Sequence, residues 1–143
     1  IDSIGMFDSG VGGLTVLKHI QRLLPHADVV YFGDTARVPY GNKSRDTIVH
    51  YSLQNSSFLL RHSVDMLVVP CNTACALALD QLQSAFSLPI IGVIDPGARR
   101  AAEVSRSGHI AVLGTRATIH SNAYQNAIRR FVPEASITAV ACP

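Results

Sequence analysis

The sequence predicts an α/β fold: an open parallel sheet with helices on both faces. Three observations carry that expectation. Six short aliphatic runs recur along the chain, the stretches between them show helical periodicity, and small, polar or ionisable residues directly follow the runs. Near-continuous apolar runs suit strands buried on both faces of a parallel sheet. Strict alternation of strand and helix gives right-handed crossovers in one open sheet.

The first run, residues 4–7, leads into Asp8-Ser9-Gly10-Val11-Gly12-Gly13, after which Val16, Ile20 and Leu23 at i, i+4, i+7 predict a helix. Residues 29–32 form the second strand, followed by a loop with Asp34, Arg37 and Pro39-Tyr40-Gly41-Asn42 and a helix over 46–62. The third strand, 66–69, ends at Pro70-Cys71-Asn72-Thr73. Cys75, Leu79, Leu82 and Phe86 then repeat at helical spacing. Residues 90–94 predict a fourth strand, with a short helix after Pro96. Residues 110–113 and 137–140 predict the last two strands, and between them Tyr124, Ala127, Ile128 and Phe131 mark a helix. There is no repeat of fixed period and no low-complexity segment.

Composition sets the outer limits. With 48% hydrophobic residues in 143, one domain's worth of chain can bury a sizeable core, mostly aliphatic because it holds five Phe, four Tyr and no Trp. A disordered chain needs lower hydrophobicity and higher charge. The net charge of +2 gives no electrostatic case for nucleic acid or an anionic membrane. No apolar run approaches the ~20 residues needed to span a bilayer. Three cysteines do not make a disulfide scaffold, so a reducing, cytoplasmic setting is expected. The six histidines show no metal spacing, and no metal is expected. A chain that starts at Ile1 and stops just after a strand reads as a fragment of a longer protein.

In open parallel sheets ligands bind beyond the carboxyl ends of the strands, so the residues after each strand are the site candidates. In Asp8-Ser9-Gly10-Val11-Gly12-Gly13, Ser9 and the turn could hold a small anion with Asp8 as a charged participant, or Asp8 or Ser9 could simply cap the next helix. Cys71 follows a strand and opens a helix, a position expected to lower a thiol's pKa. Asn72 and Thr73 offer hydrogen bonds beside it. Cys75 lies on an apolar helical stripe and reads as core. Pro39-Tyr40-Gly41-Asn42 is either a substrate loop or a tight turn. Thr115 and Thr118 could bind a ligand, or Thr118 could cap the helix carrying Tyr124. Arg37 could bind a carboxylate, though a solvated loop arginine is the default.

Several of these motifs together resemble the bacterial glutamate racemase family. Residues 4–14, Ile-Gly-Met-Phe-Asp-Ser-Gly-Val-Gly-Gly-Leu, resemble its opening signature, and Tyr31-Phe32-Gly33-Asp34-Thr35 with Pro39-Tyr40-Gly41 resembles its second block. Val69-Pro70-Cys71-Asn72-Thr73-Ala74 resembles the block around its first catalytic cysteine. Pro89-Ile90-Ile91-Gly92-Val93 and Leu113-Gly114-Thr115-Arg116-Ala117-Thr118 match two more. The match covers the chain in order. Related aspartate racemases share the cysteine block, and the Asp-Ser-Gly-Val-Gly-Gly opening favours glutamate.

The resemblance implies cofactor-independent inversion of L-glutamate to D-glutamate for peptidoglycan and cell-wall synthesis, without pyridoxal phosphate. It implies Cys71 as one of two catalytic cysteines, with Asp8 assisting its proton transfer. Ser9, Tyr40, Gly41, Asn72 and Thr73 become substrate contacts, with Thr118 a weaker match. It implies glutamate as the small-molecule partner and is compatible with a homodimer. It also implies two similar α/β domains: residues 1–97 as the first, and 98–143 as the incomplete start of the second. The family's second cysteine lies in a Gly-Cys-Thr-His-Tyr-Pro block that is absent here, so this chain alone is expected not to racemise efficiently. The rival function is a hydrolase or transferase of the same fold with Cys71 as nucleophile, which needs a nearby base such as histidine. An aspartate racemase and a non-catalytic binding module that keeps the anion pocket are further alternatives.

Overall fold

The computed structural model describes residues 1–142. In chain order the elements are β1 (Ser3–Asp8), α1 (Leu14–Leu23), β2 (Asp28–Gly33), α2 (Arg45–Leu60), β3 (Met66–Val69), α3 (Asn72–Ala85), β4 (Ile90–Gly92), α4 (Ile94–Val104), β5 (His109–Thr115), α5 (Arg116–His120), α6 (Ala123–Phe131) and β6 (Ser136–Cys142). The first four strands form an all-parallel sheet in the order β2-β1-β3-β4, and β5 and β6 pair in parallel as a separate two-stranded sheet.

Alternate side chains of β1 and β3 leave the first sheet in opposite directions. Ile4, Met6, Met66 and Val68 meet Val16, Leu17 and Ile20 of α1 on one face. Phe7, Leu67, Val69 and Ile90 join the core containing Ile48 and Leu59 of α2 and Ala78 and Leu82 of α3 on the other. Full burial of side chains such as Phe7, Leu67 and Leu82 stabilises by about 1.5–3 kcal/mol each. That second core continues without a break into the C-terminal half through Val112, Ile119, Ala127 and Ile128.

A local signal sets the start of α2. Ser44 caps α2 by accepting a bond from the Thr47 N–H, and Asp46 sits in the first turn where the helix dipole favours an acid. Two expected boundaries move. β4 stops at Gly92, and α4 begins at Ile94 rather than after Pro96. Pro96 occupies the first turn, where a missing N–H has no intrahelical partner to lose. The expected domain boundary after Gly97 therefore falls inside α4. Nor does Thr118 cap the helix carrying Tyr124. It lies within α5, and Asn122, in the left-handed region at φ 58°, separates α5 from α6.

The strand order places the site. β1 pairs with β2 on one side, and the chain then crosses through α2 to β3 on the other side of β1. The carboxyl ends of β1 and β3 thus flank a topological switch point, the crevice where open α/β sheets bind ligands. Asp8 ends one of these strands, and Cys71 follows the other by two residues.

Candidate active site

Asp8 is buried, and both of its carboxylate oxygens are occupied by backbone. Oδ1 accepts the Ser9 N–H at 2.8 Å, and Oδ2 accepts the Gly13 N–H at 2.8 Å. Gly13 itself, with no side-chain cap, is the N-cap of α1, so neither Asp8 nor Ser9 takes that position. Asp8 instead closes the loop. A Cβ at Gly13 would lie 2.6 Å from Pro70 Cγ and 2.9 Å from the Tyr31 hydroxyl, so glycine lets the loop after β1 close against the residue preceding Cys71. The Tyr31 hydroxyl donates to Gly10 O at 3.1 Å and lies 3.5 Å from Asp8 Oδ2. Burial and the Asp8 charge push that phenol up to about 12, so it stays a donor. The sequence hid this role of Tyr31, which depends on the register placing it beside Met6.

Cys71 is the N-cap of α3, in extended backbone conformation, and its Sγ accepts the Ala74 N–H at 3.5 Å. It is only 4% exposed, yet it lines an open cleft of about 640 Å³ together with Asp8, Ser9, Asn72, Thr73 and Thr115. Burial raises the thiol's pKa, and the Asp8 charge adds to the effect. The N–H groups of Ala74 and Ser9 and the Ser9 hydroxyl pull it down without prevailing. The expected lowering is thus corrected: the helix end supplies its donor, but desolvation is larger. Cys75 is core, as its stripe indicated. Its Sγ donates to Val69 O at 3.0 Å, and burial pushes its thiol up to about 12.

The far wall is built from hydroxyls and an amide. Thr73, Thr115 and Thr118 close a cluster with Oγ1–Oγ1 distances of 2.9, 3.0 and 3.3 Å. Thr115 caps α5 and lines the cleft, whereas Thr118 stands behind it, buried. Asn72 Oδ1 accepts a 2.6 Å bond from the Tyr124 hydroxyl, and Tyr124 also reaches the cleft. From periodicity alone, Tyr124 has only a place on a helical stripe.

Tyr40 is placed differently from the others. Its side chain is buried, and its hydroxyl bonds Asp34 and accepts a 2.9 Å bond from Asn55 Nδ2. Arg37 Nε donates to both Asp34 oxygens at 2.8 and 2.9 Å, its NH2 nitrogen donates to Asn55 Oδ1, and its guanidinium lies 4.1 Å from the centre of the Tyr51 ring. Burial alone would raise the Asp34 carboxyl. Hydrogen bonds from Arg37, Tyr40 and Asn55, with the Arg37 charge, hold it below the usual range. Tyr40 thus turns its side chain into the loop's own support, and neither Tyr40 nor Gly41 lines the cleft. Gly41 packs against Thr115 so closely that a Cβ there would lie 2.6 Å from Thr115 Cβ.

Neither lysine and none of the six histidines lines the cleft. Lys43 Nζ donates to Pro39 O. Among the described residues no group of three or more His, Cys, Asp or Glu is arranged to hold a metal ion, and no helix is long and apolar enough to cross a membrane.

The chain thus presents a parallel α/β sheet with a thiol and a carboxylate at its switch point. Residues 5–141 match the model of the Asp/Glu/Hydantoin racemase family, and the chain belongs to that family. Among particular proteins, it is similar to the glutamate racemase of Geobacter metallireducens, 58% identical over 141 residues that cover 99% of this chain and 52% of that protein. It also resembles the solved glutamate racemase of Aquifex pyrophilus, with TM-score 0.94 and 51% identity over 99% of this chain and 55% of that one. The structure of the Francisella tularensis glutamate racemase in complex with D-glutamate matches at TM-score 0.87 and 40% identity, over 96% of this chain and 51% of that one. The chain spans about half the length of these relatives.

Proposed function

We propose that this chain supplies one half of a glutamate racemase site and that Cys71 exchanges the α-proton of glutamate on one face. The observation that carries this is the placement of the Cys71 thiol in a cleft with Asp8, Ser9, Asn72 and Thr73. In the first half-reaction Cys71, as thiolate, takes the α-proton and becomes a thiol, leaving the electron pair on the α-carbon and its carboxylate. A donor on the opposite face returns a proton and completes inversion. Neither Cys75, which is in the core, nor Cys142 lines the cleft, so this chain's described residues provide no second thiol there. A raised pKa makes Cys71 a stronger but scarcer base.

Asp8, beside the thiol, assists the proton transfer, and Ser9, Asn72 and Thr73 hold the substrate's carboxylate oxygens. Tyr40 and Gly41 contribute from behind the cleft wall, and Thr118 supports Thr115. The first α/β unit is assigned to residues 1–97 and the start of a second to 98–143, a division that falls inside α4. No cofactor takes part in the chemistry. The wider assignments belong with this reading: supply of D-glutamate for peptidoglycan, a cytoplasmic location, and a homodimer as the assembly it admits. D-glutamate in the Francisella tularensis relative supports the choice of substrate. A cysteine hydrolase would need a base, and the cleft contains no histidine.

The test is α-proton exchange of L- and D-glutamate in heavy water, followed by NMR. The full-length protein that carries this chain should exchange and racemise, and Cys71→Ser should abolish both. The 143-residue chain alone should not invert the centre. Two-faced inversion by that chain, or full activity in Cys71→Ser, would overturn the proposal, and a trapped acyl-enzyme would favour the hydrolase.

A further inference from the structure

We infer that Tyr124 is a positioning residue: its hydroxyl fixes the Asn72 side-chain amide so that Nδ2, a donor, is what the cleft presents to an incoming carboxylate. The inference rests on the reading of the cleft as a glutamate site and deepens it.

An asparagine amide can face a ligand with its oxygen or with its NH2, and the two faces have opposite consequences for an anion. Asn72 opens α3 immediately after Cys71, so its amide orientation determines whether the wall beside the thiol attracts or repels a carboxylate. Tyr124 decides it. Its hydroxyl lies 2.6 Å from Asn72 Oδ1, and no other hydrogen bond among the described residues engages that side chain. With Oδ1 occupied, both Nδ2 hydrogens remain for a ligand. Burial raises the Tyr124 pKa, which keeps the hydroxyl protonated and able to donate.

The tyrosine is well placed for this role. It comes from α6, 52 residues further along the chain, and its ring lies against Gly97 of α4, where a Cβ would be 3.5 Å from the ring and the hydroxyl. The same ring borders both the Cys71 cleft and the adjoining apolar groove beneath β5. Tyr124 therefore links the C-terminal half of the chain to the first residue of the catalytic helix by a hydrogen bond.

The test is a double-mutant cycle in the full-length protein, with Tyr124→Phe, Asn72→Ala and the double variant assayed for racemisation of glutamate. Losing one neutral hydrogen bond should raise KM about fivefold in Tyr124→Phe, with kcat changed far less. In the Asn72→Ala background Tyr124→Phe should add nothing, because its only effect passes through that amide. Unchanged KM in Tyr124→Phe, or effects that multiply in the double variant, would overturn the inference while leaving the racemase assignment intact. So would an Asn72→Ala enzyme with ordinary KM. A wild-type protein without racemase activity would remove both.

Discussion

At the scale of single residues, the site is governed by how far water is excluded from one sulfur atom. Cys71 has a helix N-terminus and two backbone donors, yet its thiol is held above its ordinary range because burial outweighs them. This leads to a pH prediction. At pH 8 the chain's Cys71 should react with iodoacetamide more slowly than free cysteine, and the rate should keep rising beyond the free thiol's midpoint near pH 8.5. Labelling followed by mass spectrometry would check this, and a rate already at its plateau at pH 7 would contradict it. Asp8, Ser9, Cys71, Asn72 and Thr73 were legible in the sequence because each lies at or shortly beyond the carboxyl end of an aliphatic run. Tyr31, Tyr124 and the inward turn of Tyr40 were not, since each depends on a partner 15 to 52 residues distant. The direction of the Cys71 shift was not legible either, because desolvation is a property of everything packed around the thiol.

At the scale of elements, the loop from Gly33 to Asn42 is held from behind. Arg37, Asp34, Tyr40 and Asn55 form a network that joins the end of β2 to the middle of α2. Asp34→Asn should destabilise the chain by about 2 kcal/mol, since it strips a partly buried guanidinium of its carboxylate. A denaturant titration measures this, and an unchanged midpoint would show the network to be dispensable. The sign of the pH effect follows from the carboxyl being held low. Its stabilisation is fully present above the ordinary Asp value of about 3.9 and is lost as pH falls through the lower folded value. All six strands were legible as aliphatic runs. The start of α4 was not, because Pro96 reads as a helix boundary unless it is known to fall in the first turn. α5 was not, because five residues are too few to show a helical period.

At the scale of the whole molecule, two sheets of unequal completeness share one core. The four-stranded sheet has helices on both faces, whereas β5 and β6 form a pair whose Leu113 is 70% exposed and Val140 48%. Two strands alone are marginal in water. Amide hydrogen exchange of the 143-residue chain should therefore be faster in β5 and β6 than in β1 and β3, where opening requires disrupting the main core. Equal protection would show that the second sheet is as cooperative as the first. The fold class was legible as a whole because alternation of strand and helix is a chain-wide pattern. The division into four strands and two was not visible in composition, which does not change across the join.

The hydroxyl cluster of Thr73, Thr115 and Thr118 straddles that join, with Thr73 on α3, Thr115 at the end of β5 and Thr118 within α5. Three hydroxyls closed on one another can circulate their protons clockwise or anticlockwise. An oxygen arriving at Thr115 can therefore be met by a proton or by a lone pair, at the loss of one internal bond and with no heavy atom displaced. A wall of that kind meets a donor or an acceptor group of a ligand with the same arrangement of heavy atoms.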